Sequence, residues 1–234
     1  SVIFTWLLSI AETYAFIVML LGYFQVGWVL DRKPASLPKD KERWPSVDIF
    51  IPTYNEPLDV VKPTVYAALT VDWPKEKLNV YILDDGSRKE FKDFACEVGA
   101  GYIEREEHKH AKAGNINHAM GITKGDFIAI FDCDHVPVKT FLQKTMGWFL
   151  KDEKIALVQT PHHFYSQDPF EKNLHLKENV PNENSLFHDF IQKGNDTWNA
   201  TMFCGSCAIM RRKALEEVGG VAVETVTEDA HTAI

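Results

Sequence analysis

Three short apolar runs, residues 47–51, 79–83 and 127–131, each stop at a polar cluster: Thr53-Tyr54-Asn55-Glu56, Asp84-Asp85-Gly86 and Asp132-Cys133-Asp134. Apolar runs of this length bounded by turn residues read as buried strands. Between and after them, residues 58–71 space their apolar side chains as a helix does, residues 89–98, 111–122 and 139–150 also read as helical, and residues 101–104 and 155–160 read as short strands. Strands alternating with helices predict an α/β fold, a mostly parallel sheet flanked by helices. Such a sheet binds ligands at the carboxyl ends of its strands, at the topological switch point. The three polar clusters then fall on one edge of the sheet and line one pocket with carboxylates and an aromatic ring.

The chain carries 25 Lys and Arg against 33 Asp and Glu, a net charge of −8. That excludes nucleic acid as the main partner, which needs a basic face. A small anionic ligand remains compatible, because a bound cation inverts the local field. The 4 cysteines are Cys96, Cys133, Cys204 and Cys207. Cys204 and Cys207 have the spacing of half a zinc site, but a second such pair is missing, so free thiols in a reducing compartment are the preferred reading.

Residues 2–30 are almost wholly apolar, with Glu12 as their one charge. At about 1.5 Å per residue the stretch exceeds the roughly 30 Å hydrocarbon thickness of a bilayer, which predicts a transmembrane helix. Trp6, Tyr14, Tyr23 and Trp28 are partly placed like interface anchors. Arg32, Lys33, Lys39, Lys41 and Arg43 follow, and basic residues beside a span favour the cytoplasmic side. The expected organisation is a transmembrane helix over 1–30, a juxtamembrane linker over 31–45 and a cytoplasmic domain over 46–234. Both ends read as cut, so the chain is expected to be part of a longer one.

The polar clusters suggest chemistry one by one. Asp132 and Asp134 stand two apart, so in extended backbone both carboxylates point to the same side, while Cys133 points inward. Two such oxygens suit Mg²⁺ or Mn²⁺, although a solvated loop gives the same pattern. Asp84 and Asp85 can accept from a base N–H or a ribose hydroxyl, and the plain alternative is an Asp-Gly turn. Tyr54 can stack on a base and Glu56 can accept from it. Lys112, at the head of a helix, can meet a phosphate, or belong to a solvated basic turn. Asp229 in Thr227-Glu228-Asp229 can act as a general base, but spacing alone favours a helix start capped by Thr227. Phe164, Phe170, Leu174, Phe187, Phe190 and Trp198 read mostly as core, with a membrane-facing or sugar-binding surface as the alternative.

Six stretches in order resemble the motif series of the processive family 2 glycosyltransferases: residues 51–56, Asp84-Asp85-Gly86, residues 110–115, Asp132-Cys133-Asp134-His135, Phe203-Cys204-Gly205-Ser206 and Thr227-Glu228-Asp229. The resemblance is nearest to the bacterial synthases of β-1,4-glucan and covers almost the whole chain. It implies a GT-A fold, UDP-glucose as donor, a β-glucan acceptor and a Mg²⁺-dependent inverting transfer, with Mn²⁺ as a possible substitute. It implies that Tyr54, Glu56, Asp84, Asp85 and Lys112 hold the UDP, that Asp132 and Asp134 engage the metal, with Asp134 the more direct ligand, and that Asp229 is the base. It puts Phe203, Cys204 and Gly205 where the acceptor end of the glucan rests. It further implies a bacterial inner-membrane location, a periplasmic partner subunit, and cyclic-di-GMP bound through a domain outside this sequence. The family's Gln-x-x-Arg-Trp motif is expected downstream, so this portion alone is expected to be inactive. Chitin- or hyaluronan-type synthases, and a nucleotide-sensing membrane module without catalysis, remain open as alternatives.

Overall fold

The computed structural model describes residues 2–163, 169–174 and 183–233. The chain forms two compact units, one of residues 33–160 and 202–234 and the other of residues 1–32 and 161–201.

The larger unit is built on six strands: β1 (Val47–Thr53), β2 (Leu78–Asp84), β3 (Gly101–Ile103), β4 (Phe127–Ile130), β5 (Leu157–Gln159) and β6 (Ala208–Arg211). Their spatial order is β3-β2-β1-β4-β6-β5. The β3-β2-β1-β4 half is parallel, while β6 runs antiparallel to both β4 and β5. The expected sheet is therefore present but mixed. The strand that mixes it, β6, lies just beyond the Phe203–Ser206 motif, where no strand is expected from the sequence.

Pro52 lies inside the central strand β1, where a missing N–H normally breaks a ladder. Phe50 turns its carbonyl toward β4, accepting from the Phe131 amide at 3.0 Å. Pro52, two residues on, faces the same side, beyond the last paired residue of β4, so no ladder bond is lost. Thr53 faces β2 and accepts from Asp85 at 2.9 Å.

Alternation along the strands feeds two cores. Ile49, Ile51, Ala129 and Phe131 share one with Val61 and Val65 of α2 (Leu58–Leu69), Phe91 and Phe94 of α3 (Lys89–Val98) and Leu142 and Phe149 of α5 (Phe141–Lys151). Phe50, Ile128, Ile130 and Met210 face the other, with Ala113 and Ile116 of α4 (Ala111–Ile122) and Leu215 of α9 (Arg212–Val218). The central strands β1 and β4 are thus buried on both faces, as parallel strands between helix layers are.

Residues read as a linker pack on this body. Trp44 is buried, its ring 4.4 Å from that of Trp73, and its carbonyl accepts from Lys77 Nζ at 2.8 Å.

In the smaller unit, α1 (Val2–Val26) is long and apolar enough to cross a membrane, and it is exposed along nearly its whole length. Short helices α6 (Pro169–Leu174) and α7 (Glu183–Leu186) follow, and α7 continues through a π-turn at Phe187–Ile191 into α8 (Gln192–Thr197). Phe24 stacks on Trp198 at 4.9 Å, and Arg32 pairs with Asp196. Of the aromatic positions noted in the sequence, Phe190 and Trp198 are exposed, and Phe164 lies outside the described residues.

Candidate functional site

The tips of β1, β2 and β4, the head of α4, the loop before β6 and the short α10 (Glu228–Thr232) all belong to the larger unit. The most informative meeting is at Gly205, which has φ +77°. A Cβ placed on it would lie 3.5 Å from Lys112 Nζ and 3.6 Å from Asp229 Oδ2. Lys112 also donates to the Gly205 carbonyl at 2.7 Å and forms an ion pair with Asp132. Lys112, Asp132, Gly205 and Asp229, spread over more than 110 residues of sequence, therefore surround one point.

Asp132 is held from its other side by Ser206, the last residue of the Phe203–Ser206 motif, to which the sequence assigns no role. The Asp132 amide donates to Ser206 Oγ at 2.9 Å, and the same hydroxyl is 2.6 Å from His135 Nδ1. Asp134 is exposed and has neither a hydrogen-bond nor an ion-pair partner among the described residues. With Lys112 balancing Asp132, the Asp134 charge is left over. The pair offers oxygen donors alone, one of them unengaged, which is the donor set a hard divalent cation takes. Cys133 between them is buried, and burial first, then the nearby carboxylates of Glu56, Asp134 and Asp132, push its thiol up to about 12.

The acidic pair on β2 behaves differently from expectation. Asp84 is fully buried. Its carboxylate accepts from the Gly86 amide (3.0 Å), the Arg88 amide (2.7 Å), the Arg88 guanidinium (2.8 Å) and the Tyr102 hydroxyl (3.0 Å). An anion at the first turn of α3, so completely bonded, builds the strand-to-helix turn and presents nothing to a ligand. Asp85 is also buried, and its two oxygens are gripped by Arg105 through Nε and Nη2, the latter at 2.7 Å. Arg88 and Arg105 are the residues that sequence reading missed here. The signal was faint: each is one of 25 basic residues, outside the motif stretches, and only the fold brings it to the acids.

Tyr54 is 61% exposed and free to receive a flat ligand. Glu56 is turned back onto its own loop, accepting from the Thr53 hydroxyl and the Tyr54 amide, each at 2.8 Å. Burial works to raise its pKa, but these bonds and the Arg88 charge outweigh it and hold the carboxyl below its ordinary value. Phe203 is buried in the second core, and Cys204 is half-buried with its amide donating to Gln159 Oε1 at 2.9 Å. All four cysteines are free thiols. Thr227 stands at the N-cap position of α10 with Glu228 and Asp229 in the first turn, so the helix start is as expected, but the Thr227 side chain makes no capping bond. Asp229 accepts from the Ala230 amide at 2.7 Å and keeps Oδ2 toward Gly205.

A sheet covered by helices on both faces, with acids at its strand tips and a lysine-headed helix beside them, is the architecture of the GT-A glycosyltransferase fold. The chain belongs to glycosyl transferase family 2, whose model matches residues 48–219. It is 62% identical over 96% of its length to a cellulose synthase catalytic subunit (UDP-forming) of Xanthomonas axonopodis pv. citri (strain 306). It is 59% identical, again over 96% of its length, to that of Pseudomonas fluorescens (strain SBW25). The chain spans 31% and 30% of these relatives, respectively. Among solved structures, a mannosyltransferase from Pyrobaculum calidifontis, in complex with GDP-Man and Mn²⁺, aligns with a TM-score of 0.64 over 95% of this chain and 61% of its own, at 22% identity. S. aureus TarS 1-349 with UDP-GlcNAc aligns with a TM-score of 0.59 over 80% of this chain and 52% of its own, at 15% identity. At these identities the likeness is one of fold.

Proposed function

We propose that this chain is the donor-binding and catalytic portion of a processive synthase that transfers glucose from UDP-glucose, with inversion, to the 4-hydroxyl of a growing β-1,4-glucan. The observation that carries the reading is the meeting of Lys112, Asp132 and Asp229 around Gly205. Its donor and product are supported by the 62% identity to a UDP-forming cellulose synthase subunit.

In this reading the exposed Tyr54 ring stacks on the uracil, and the loop closed by Glu56 sets its angle. Asp85, fixed by Arg105, forms the wall beside the nucleoside, while Asp84 holds the turn behind it. Asp132 and Asp134 would hold Mg²⁺ or Mn²⁺, which when bound neutralises charge on the diphosphate. Lys112 contributes a fixed positive charge to the same leaving group, at no reorganisation cost. Asp229 accepts the proton of the acceptor hydroxyl as that oxygen attacks the anomeric carbon. Cys204 and Gly205 support the terminal sugar of the glucan, Phe203 backs them from the core, and the glycine leaves room for the sugar beside both the acid and the lysine.

The proposal extends to location and partners, with the long apolar helix α1 as its structural support. The helix anchors the chain in the bacterial inner membrane, and the basic residues after it put the catalytic unit in the cytoplasm. A periplasmic subunit and cyclic-di-GMP are partners of the longer protein.

The test uses the full-length protein in lipid nanodiscs, supplied with UDP-glucose or UDP-N-acetylglucosamine. Cellulase-sensitive polymer from UDP-glucose alone, abolished by chelation and restored by Mg²⁺, is the expected result. Polymer formed preferentially from the N-acetylated donor overturns the assignment.

A further inference from the structure

Arg105 joins two parts of the site, the tip of β2 and the turn before α4, which His108 beside Asp85 (3.6 Å) and Asn115, donating to the Leu83 carbonyl, also bring together. It is buried, just beyond β3, and one edge of its guanidinium grips Asp85 at the tip of β2. The remaining donors turn the other way. Nη1 donates to the Lys109 carbonyl at 2.7 Å and Nη2 to the Ala111 carbonyl at 2.8 Å. Those carbonyls flank a backbone that side-chain-bearing residues avoid: His110 has φ +62° and Ala111 φ +40°. Two successive left-handed residues persist where surrounding contacts over-determine them. The next residue is Lys112.

Gly114 shows how closely this turn is fitted. A Cβ there would lie 2.1 Å from the Lys109 carbonyl and 2.6 Å from Arg105 Nη1. The glycine is required because the turn and the guanidinium occupy that space. A guanidinium suits the task as an ammonium does not, since its planar fork reaches a carboxylate and two carbonyls at once.

We propose that Arg105 is a positioning residue for the leaving diphosphate: by clamping the left-handed turn to Asp85, it aims the Lys112 ammonium at the point shared by Asp132 and Gly205. The proposal rests on the donor-site reading above. It makes the nucleoside wall and the phosphate-facing lysine one rigid piece, so Arg105 acts through Lys112 and does not itself touch the donor.

A double-mutant cycle in the full-length synthase tests this, with turnover and UDP affinity measured for Arg105→Lys, Lys112→Met and the pair. Arg105→Lys keeps the charge and loses the fork, and it is expected to lower turnover about tenfold with Lys112 present. In the Lys112→Met background the same change is expected to have almost no further effect, because there is no ammonium left to aim. Gly114→Ala, which pushes directly on the Lys109 carbonyl and the Arg105 guanidinium, is expected to reproduce both results if Arg105→Lys fails to fold. Effects that multiply in the double variant overturn the proposal, since a merely structural arginine acts independently of residue 112. Lys112→Met leaving UDP affinity and turnover unchanged overturns the donor-site reading itself, and is distinguishable on that account.

Discussion

Lys112 donates its Nζ to the carbonyl of Gly205, 93 residues further along the chain, at 2.7 Å. That one bond ties the helix after β3 to the loop before β6. It fixes the cation where the Asp132 carboxylate and the free oxygen of Asp229 can both use its field. Replacing Lys112 by Met keeps the length and removes the charge. It is expected to lower turnover of the full-length protein about a hundredfold, the scale seen when one preorganised electrostatic donor is removed. Steady-state kinetics with UDP-glucose provide the check.

Asp84→Asn should act on stability. The carboxylate is wholly buried and its principal partner is the Arg88 guanidinium, so the amide leaves a half-buried cation short of its counter-ion. A loss of about 3 kcal/mol or more is expected, on the scale of breaking a buried pair from one side. Urea unfolding measures it. UDP affinity at a temperature where the variant is still folded should be nearly unchanged, which separates this acid from a ligand-binding one.

Acid should destabilise the smaller unit through His188. Burial, reinforced by His162 and His163, lowers its pKa from 6.5 to about 4. A histidine depressed in the folded state is held neutral there, while the unfolded chain takes up the proton. Its contribution is therefore complete above about pH 6.5 and is lost as pH falls toward 4, reaching at most about 3 kcal/mol. Thermal melts across this range, compared with His188→Gln, should show a steeper acid loss in the parent protein.

The thiols should separate by environment. Burial pushes Cys207 up to about 11 and Cys133 to about 12, whereas Cys96 is exposed. Since the thiolate is the reactive form, iodoacetamide at neutral pH should label Cys96 first and leave Cys133 untouched until the protein unfolds. Peptide mass spectrometry reads the order.

The α/β architecture was legible because periodicity survives in single segments: α3 forms over the residues that its apolar spacing marked, and α5 within two residues of them, whereas α4 has no one-sided apolar pattern. Strand β6 was not legible. Its four residues, Ala-Ile-Met-Arg, have no alternation, and they are a strand because β4 and β5 offer them partners. The linker reading over 31–45 followed from its Pro, Lys and Ser content, while Trp44, which docks beside Trp73, gave no periodic signal. Within the site, the motifs name the carboxylates but not which way they point. Asp84 and Asp85 are neighbours in one motif, yet one is spent on a helix start and the other on Arg105. Local spacing carries no information on a partner 20 residues away.

The most direct measurement is of Asp229→Asn in the full-length protein, with transfer from radiolabelled UDP-glucose and UDP affinity followed side by side. If Asp229 takes the acceptor's proton beside Gly205, transfer falls by about a hundredfold or more while UDP binds as before. Transfer that persists near the parent rate would remove the base from the site and contradict the account.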